Sequence, residues 1–391
     1  MFTETETLRN ASIQTIVDRL QKDRIRQHDL VVPSDFLRMR GGYMTVRYVP
    51  LDSPLQRDLS GLNVSTPGTA APVSELIGYE GTDYAHRQIA RRLGIPVKYY
   101  RKMADSSVDL LDENVNHWLA NADGNYFVRT FKPTESSEDN LGVIRAFLSD
   151  HYKVIDNLDV LVAALDAIKD LGLDVRVEAA DLTERRMFVR FYAPEIRREA
   201  PDLVRNYRTP DGDEGRTNPG IMSGFVLSNS EVGSGSFYVQ PRAIVEVCRN
   251  GMIRHVDRFR KIHLGSQMNE VGAIEWSRDT RIQHMELIQT QVQDAVRTFL
   301  DPDYLGSWID DLTENGTKKL ENPVNAVDNV TSELGYTEDE VDEITGYFME
   351  SGDTTAFGLS QAITYAAHEL ENAERQYELE KSATSWLGRV D

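Results

Sequence analysis

The sequence predicts an α+β protein: an antiparallel, β-rich central region with packed helices, followed by a mostly helical, acidic C-terminal region. Three observations carry this reading. Short β-branched and aromatic runs crowd the middle of the chain, three-and-four apolar spacing takes over after about Arg281, and the charge shifts with it. Asp301 to Asp391 hold 21 acidic and 5 basic residues, a net of −16 out of the chain's formal −20. The predicted division is 1–80 as N-terminal helix, strand and loop, 81–280 as α+β core, and 281–391 as acidic helical region.

The first helix follows from Ile13, Ile16, Val17 and Leu20, which share one face at helical spacing. Tyr43 to Val49 alternates like a strand, and the prolines, glycines and serines of Leu51 to Val73 predict a long surface loop. In YAHRQIARRLGIPVKYYRKM, Gly94 ends one helix and Pro96 opens a second. This pair resembles a helix-turn-helix whose second helix carries Lys98, Tyr99, Tyr100, Arg101 and Lys102, but the same pattern builds a plain αα-corner. Asn125–Phe131, Asp174–Ala179 and Arg186–Ala193 read as strands, the last two joined as a hairpin. Leu158 to Leu171 reads as a helix across them, and Arg205 to Pro219 as an excursion. Farther on, Arg281 to Leu300 forms one apolar stripe, Thr337 and Glu340 a capping box, and Thr354 to Leu387 a long helix.

Composition excludes several classes. With 391 residues, 40% of them hydrophobic, the chain buries at least one substantial core. Its one cysteine, Cys248, forms no intrachain disulfide, the first thirty residues show no apolar signal core, and no run reaches the roughly 18 apolar residues of a membrane span. A reducing cytoplasm and no membrane partner are expected. His151, His255, His263 and His284 lack metal-binding spacing, so no metal and no cofactor is predicted. Neither a G-x-S-x-G elbow nor a paired acid and base emerges, and Cys248, in the predicted strand AIVEVC, reads as a buried thiol, so no catalytic residue is assigned.

The stretch VLSNSEVGSGS invites a phosphate-loop reading. A P-loop needs lysine and Ser/Thr after its last glycine, and a dinucleotide fingerprint needs a helix there; Gly235 is followed by the strand-like SFYVQ. A hairpin turn fits better, with Gly233 and Gly235 supplying positive φ and Asn229 and Ser230 bonding backbone amides. An anion-binding version of that turn stays open.

In order, LGIPVKYYRKM, NVNHWL, RAFLSDHYKVIDN, GIMSGFVLSNSEVGSGSFYV and VCRNGM resemble the phage- and plasmid-encoded family catalogued as domain of unknown function 932. The resemblance runs from about Tyr84 to Gly265 and more loosely through GLSQAITYAAHELENAERQYELE. It implies a mobile-element source, a bacterial host cytoplasm and a role near replication, recombination or host takeover. No reaction and no functional residue come with it.

Two function classes follow. Arg242, Arg249, Arg254, Arg258, Arg260 and Lys261 cluster after the glycine turn, with Tyr238, Phe237 and Phe259 as stacking faces. Cations interleaved with aromatics suit a non-catalytic protein that binds or anneals single-stranded DNA, expected as a homo-oligomer by analogy with ring-forming annealing proteins. The alternative is a non-enzymatic interaction protein whose acidic helices dock a host factor.

Overall fold

The structure, a computed structural model, describes residues 7–46, 77–134, 141–254, 258–261 and 278–388. The end of the first predicted strand and the predicted loop at 51–73 lie outside these residues. An α+β fold is what the chain adopts, built on two sheets.

The first sheet is antiparallel. Its order is β1 (Leu8–Ala11), β8 (Arg176–Leu182), β9 (Met187–Glu199), β10 (Gly220–Asn229), β11 (Phe237–Val245) and β12 (Gly251–Ile253). A short strand, β13 (Phe259–Lys261), pairs with the opposite end of β11. Alternation divides the strands between two faces: Val189, Phe191, Phe225, Leu227, Phe237 and Val239 point to one core. Helices α1 (Ile13–Arg26), α5 (Asn157–Leu171), the short α6 (Pro201–Val204), α7 (Arg278–Phe299) and α8 (Pro302–Gly316) contribute to that core through Ile16, Leu161, Val204, Val292 and Trp308. Phe191 and Phe225, on adjacent strands, stack with centroids 4.6 Å apart, and burial of each ring contributes roughly 2–3 kcal/mol.

The second sheet runs β2 (Leu30–Pro33), β6 (Asn125–Phe131), β7 (Gly142–Ser149), β5 (Ile77–Gly81), β4 (Tyr43–Val46) and β3 (Leu37–Arg40), antiparallel except where β5 meets β7. Helices α2 (Asp83–Arg92), α3 (Val97–Ser106) and α4 (Val108–Ala120) cover one of its faces. The tip of the β10–β11 hairpin presses on the other, where Val232 packs with Phe127, Ala146 and Leu148.

The C-terminal helices α9 (Pro323–Leu334), α10 (Glu338–Ser351), α11 (Ala356–Glu369) and α12 (Ala373–Ser382) share a cluster of their own around Ile344, Phe348, Leu359 and Ile363. The capping box at Thr337 and Glu340 is present. The long helix expected over 354–387 is two helices, because Leu370 turns to an extended backbone and the Asn372 side chain caps the amides of Glu374 and Arg375.

Composition boundaries at 80 and 281 do not mark breaks in the packing. Strands β2 to β5 complete the sheet of β6 and β7, and α7 and α8 complete the core of the first sheet. Helix α12 lies on the remaining face of the first sheet, where Ala373 and Tyr377 meet Phe188, Val226 and Ile253.

Candidate nucleic-acid interface

Tyr238 anchors the site. Because its strand neighbours Phe237 and Val239 turn into the core, alternation sends Tyr238 to the opposite face, beyond the edge of α12. Strand β13 places Arg260 directly across from it. Arg258 and Arg260, two residues apart on one side of that strand, bring their guanidinium carbons to 5.9 and 5.7 Å from the Tyr238 ring centre. Arg260 Nε donates to Ser236 Oγ at 3.2 Å.

Arg186 completes the cluster from the end of the β8–β9 turn. It donates to Ser228 Oγ at 3.1 Å and Ser236 O at 3.4 Å, and stands 5.2 Å from the Phe188 ring and 5.5 Å from that of Tyr377. Its buried Nε has no hydrogen-bond partner. Lys381, on α12, lies 5.6 Å from the Tyr377 ring. Burial holds its ammonium below the usual lysine range, opposed by the Glu378 carboxylate and aided by the nearby charges of Arg186 and Arg258. Among the described residues, no carboxylate forms an ion pair with Arg186, Arg260 or Lys381. Like charges with no carboxylate in ion-pair contact attract an anion, and the serine hydroxyls beside them add hydrogen bonds.

The remaining predicted cations go elsewhere. Arg242 is 0% exposed and pairs with Glu178, with Glu380 at 3.8 Å; Arg190 beside it is held by Asp181 and Glu380. These two arginines neutralise buried acids, so Arg242 belongs to the packing of α12 on the sheet and not to an outer surface. Arg254 pairs with Asp311 of α8 at 2.5 Å and rests over Trp308. Arg249 is exposed, with φ 56°, past the far end of β11 from Tyr238. Lys261 pairs through its backbone with Phe237, and its side chain lies outside the described residues.

The glycine turn is a packing device. Asn229 and Ser230 are fully buried; Asn229 donates to Ile155 O and Asn157 Oδ1, and Ser230 Oγ accepts from the Ser234 amide. Between them and the tip, Glu231 pairs with Arg145 at 2.7 Å and accepts from the Asn157 amide. A carboxylate already occupies the place that an anion would take, which argues against the anion-binding version of the turn. Gly233 has the expected positive φ of 77°, and an added Cβ would meet Leu148 at 2.8 Å. Gly235 departs from expectation: its φ is not in the left-handed region, and it gives room to the Arg186 guanidinium, 3.1 Å from where a Cβ would stand.

Cys248 sits in the turn after β11 instead of within the strand, and burial pushes its thiol up to about 11. No group of three metal-binding side chains occurs among the described residues, and no helix among them is long and apolar enough to cross a membrane. Sequence reasoning missed Arg186 and Lys381, which are 195 positions apart in the chain and carry no local motif. Only the pairing of β9 with β10 and the seating of α12 bring them together. Compared with known proteins, the chain matches no family model, no curated protein and no solved structure.

Proposed function

We propose that this chain binds single-stranded nucleic acid without catalysing a reaction on it, using the surface around Tyr238. One observation carries the reading: in a protein with 63 acidic and 43 basic residues, Arg260 beside Tyr238 and Arg186 and Lys381 beside Tyr377 have no carboxylate paired to them. Phosphates would take the cations, and the exposed part of the Tyr238 ring a base. Such a role suits replication or recombination of a mobile element in a bacterial cytoplasm, the setting implied by the family resemblance.

Anisotropy of a labelled thirty-nucleotide oligo-dT across a salt series tests it. Each neutralised phosphate contributes about −0.7 to the slope of log affinity against log salt, so Arg186→Gln with Arg258→Gln and Arg260→Gln should flatten that slope by about 2. The Arg258→Gln, Arg260→Gln pair alone, which leaves Arg186 against the buried Phe188 and Tyr377, should melt near the parent and flatten the slope by about 1.4, which separates binding from folding. A parent protein that fails to bind at low salt, where the electrostatic attraction is greatest, overturns the proposal. That result would favour docking of a host protein on the acidic helices.

A further inference from the structure

We infer that the layer formed by α2, α3 and α4 is a second surface for single-stranded nucleic acid, adding phosphate contacts and stacking rings to those of the Tyr238 surface. The inference rests on the nucleic-acid reading above and enlarges it.

The helices bury one face completely. Ala85, Ile89, Tyr100, Met103, Leu111 and Val115 pack on the second sheet. Their outer face carries Arg91, Arg92, Lys98 and Lys102, all exposed within twelve residues. None of the four forms an ion pair among the described residues, whereas Arg87 and Arg101 in the same helices both pair with Asp83. Asp105, Asp109 and Glu113 are also exposed here, yet none forms an ion pair with one of these cations. Elsewhere many exposed arginines have a carboxylate in reach, as Arg176 has Asp174, Arg198 has Asp310 and Arg205 has Asp202. Four exposed cations within twelve residues, none in an ion pair, give this layer a concentrated positive charge in an acidic chain.

A second observation is independent of charge. Among the described residues, Tyr99 at 44% and Trp118 at 46% are the aromatic side chains with the greatest exposure, and both stand on this layer. Tyr79, Tyr100 and Phe127 are buried, so leaving these two rings in water is not how the chain treats its aromatics in general. Exposed rings on the same helical layer as unpaired cations suit sequence-tolerant strand binding: every base offers a π-face, and every phosphate a charge.

The test uses the full chain, the same labelled oligo-dT and two variants. Arg91→Gln, Arg92→Gln, Lys98→Gln and Lys102→Gln together should flatten the salt slope by about 3, at four contacts of about 0.7 each. Tyr99→Ala with Trp118→Ala should weaken binding at least about fivefold with the slope kept, because stacking is worth roughly 1–3 kcal/mol per base and releases no counterion. Thermal melting of both variants, expected near that of the parent, confirms folding. If the charge variant keeps the parental slope while the Arg186→Gln, Arg258→Gln, Arg260→Gln variant described above flattens it, the second surface is refuted and the proposed function stands. The reverse result supports this surface and refutes the Tyr238 placement. Loss of an oligomer in the aromatic variant with strand affinity intact would make this layer a self-association face and overturn the inference. A parent that binds no strand refutes both.

Discussion

At the scale of single residues, burial decides which charges the protein tolerates. His86 lies on α2 at the centre of the second core, hydrogen-bonded through Nδ1 to the Tyr100 hydroxyl at 2.7 Å. Burial lowers its pKa to about 4, against a partial opposing pull from Asp83. The unfolded chain therefore takes up a proton near pH 6.5 that the folded chain refuses until about pH 4. Stability from this group is complete above the unfolded value and falls as pH drops through that window, by about 3 kcal/mol in all. Denaturant unfolding at pH 7 and pH 4.5 should show the loss, and His86→Gln should reduce the difference between the two. Arg190 and Arg242 illustrate the opposite solution. Each keeps its charge in the interior because carboxylates meet it there, the buried Asp181 and Glu380 and, from the strand surface, Glu178; removing one partner from such a set typically costs about 3–5 kcal/mol.

Among the elements, the β10–β11 hairpin joins the two sheets. Its strands belong to the first sheet, but its tip is held by the second: Gln88 donates to Val232 O at 2.7 Å, Tyr152 to Ser230 O at 3.1 Å and Arg129 to Glu231 O at 3.0 Å. The turn can reach that depth only if Gly233 adopts its positive φ and leaves Leu148 undisturbed. Gly233→Ala should then destabilise the protein by more than about 1 kcal/mol, as both backbone strain and the clash act against it. Chemical denaturation measures this, and unchanged stability together with lost strand binding would return the turn to a ligand role.

For the molecule as a whole, charge and packing follow different boundaries. The acidic C-terminal region looks separable by composition, and the stretch from Asp301 to Val324 collects the residues that a protease prefers. Packing closes that stretch instead. Helix α8 buries Leu305, Trp308, Ile309 and Leu312 in the core of the first sheet. Beyond it, the Leu320 amide donates to Thr354 O and the Ala356 amide to Lys318 O, pinning the following segment against the start of α11. Limited trypsin digestion under native conditions should spare Lys318 and Lys319, and early cleavage there would show that the C-terminal helices detach. Their acidity has an inward use as well: Glu380 meets Arg190 and Arg242, Glu374 meets Arg185, and Asp311 meets Arg254. Those pairings are why several basic residues that look available in the sequence are not.

The sequence by itself determined the elements whose signals are local. The apolar spacing of Ile13 to Leu20, the strands on either side of Thr183, the capping box at Thr337 and the glycine turn all appear near the residues that predicted them, because periodicity, caps and turns act over a few positions. Tertiary structure decided the rest. Arg242 and Arg260 look equivalent in the chain, yet one is buried and neutralised by Glu178 with Glu380 nearby, and the other faces Tyr238 near solvent. Arg186 and Lys381 join Arg258 and Arg260 only through strand pairing and the docking of α12. Whether a cation is neutralised depends on which distant carboxylate the fold brings within a few ångströms, and Coulomb attraction in a poorly screened interior makes that choice independent of sequence separation.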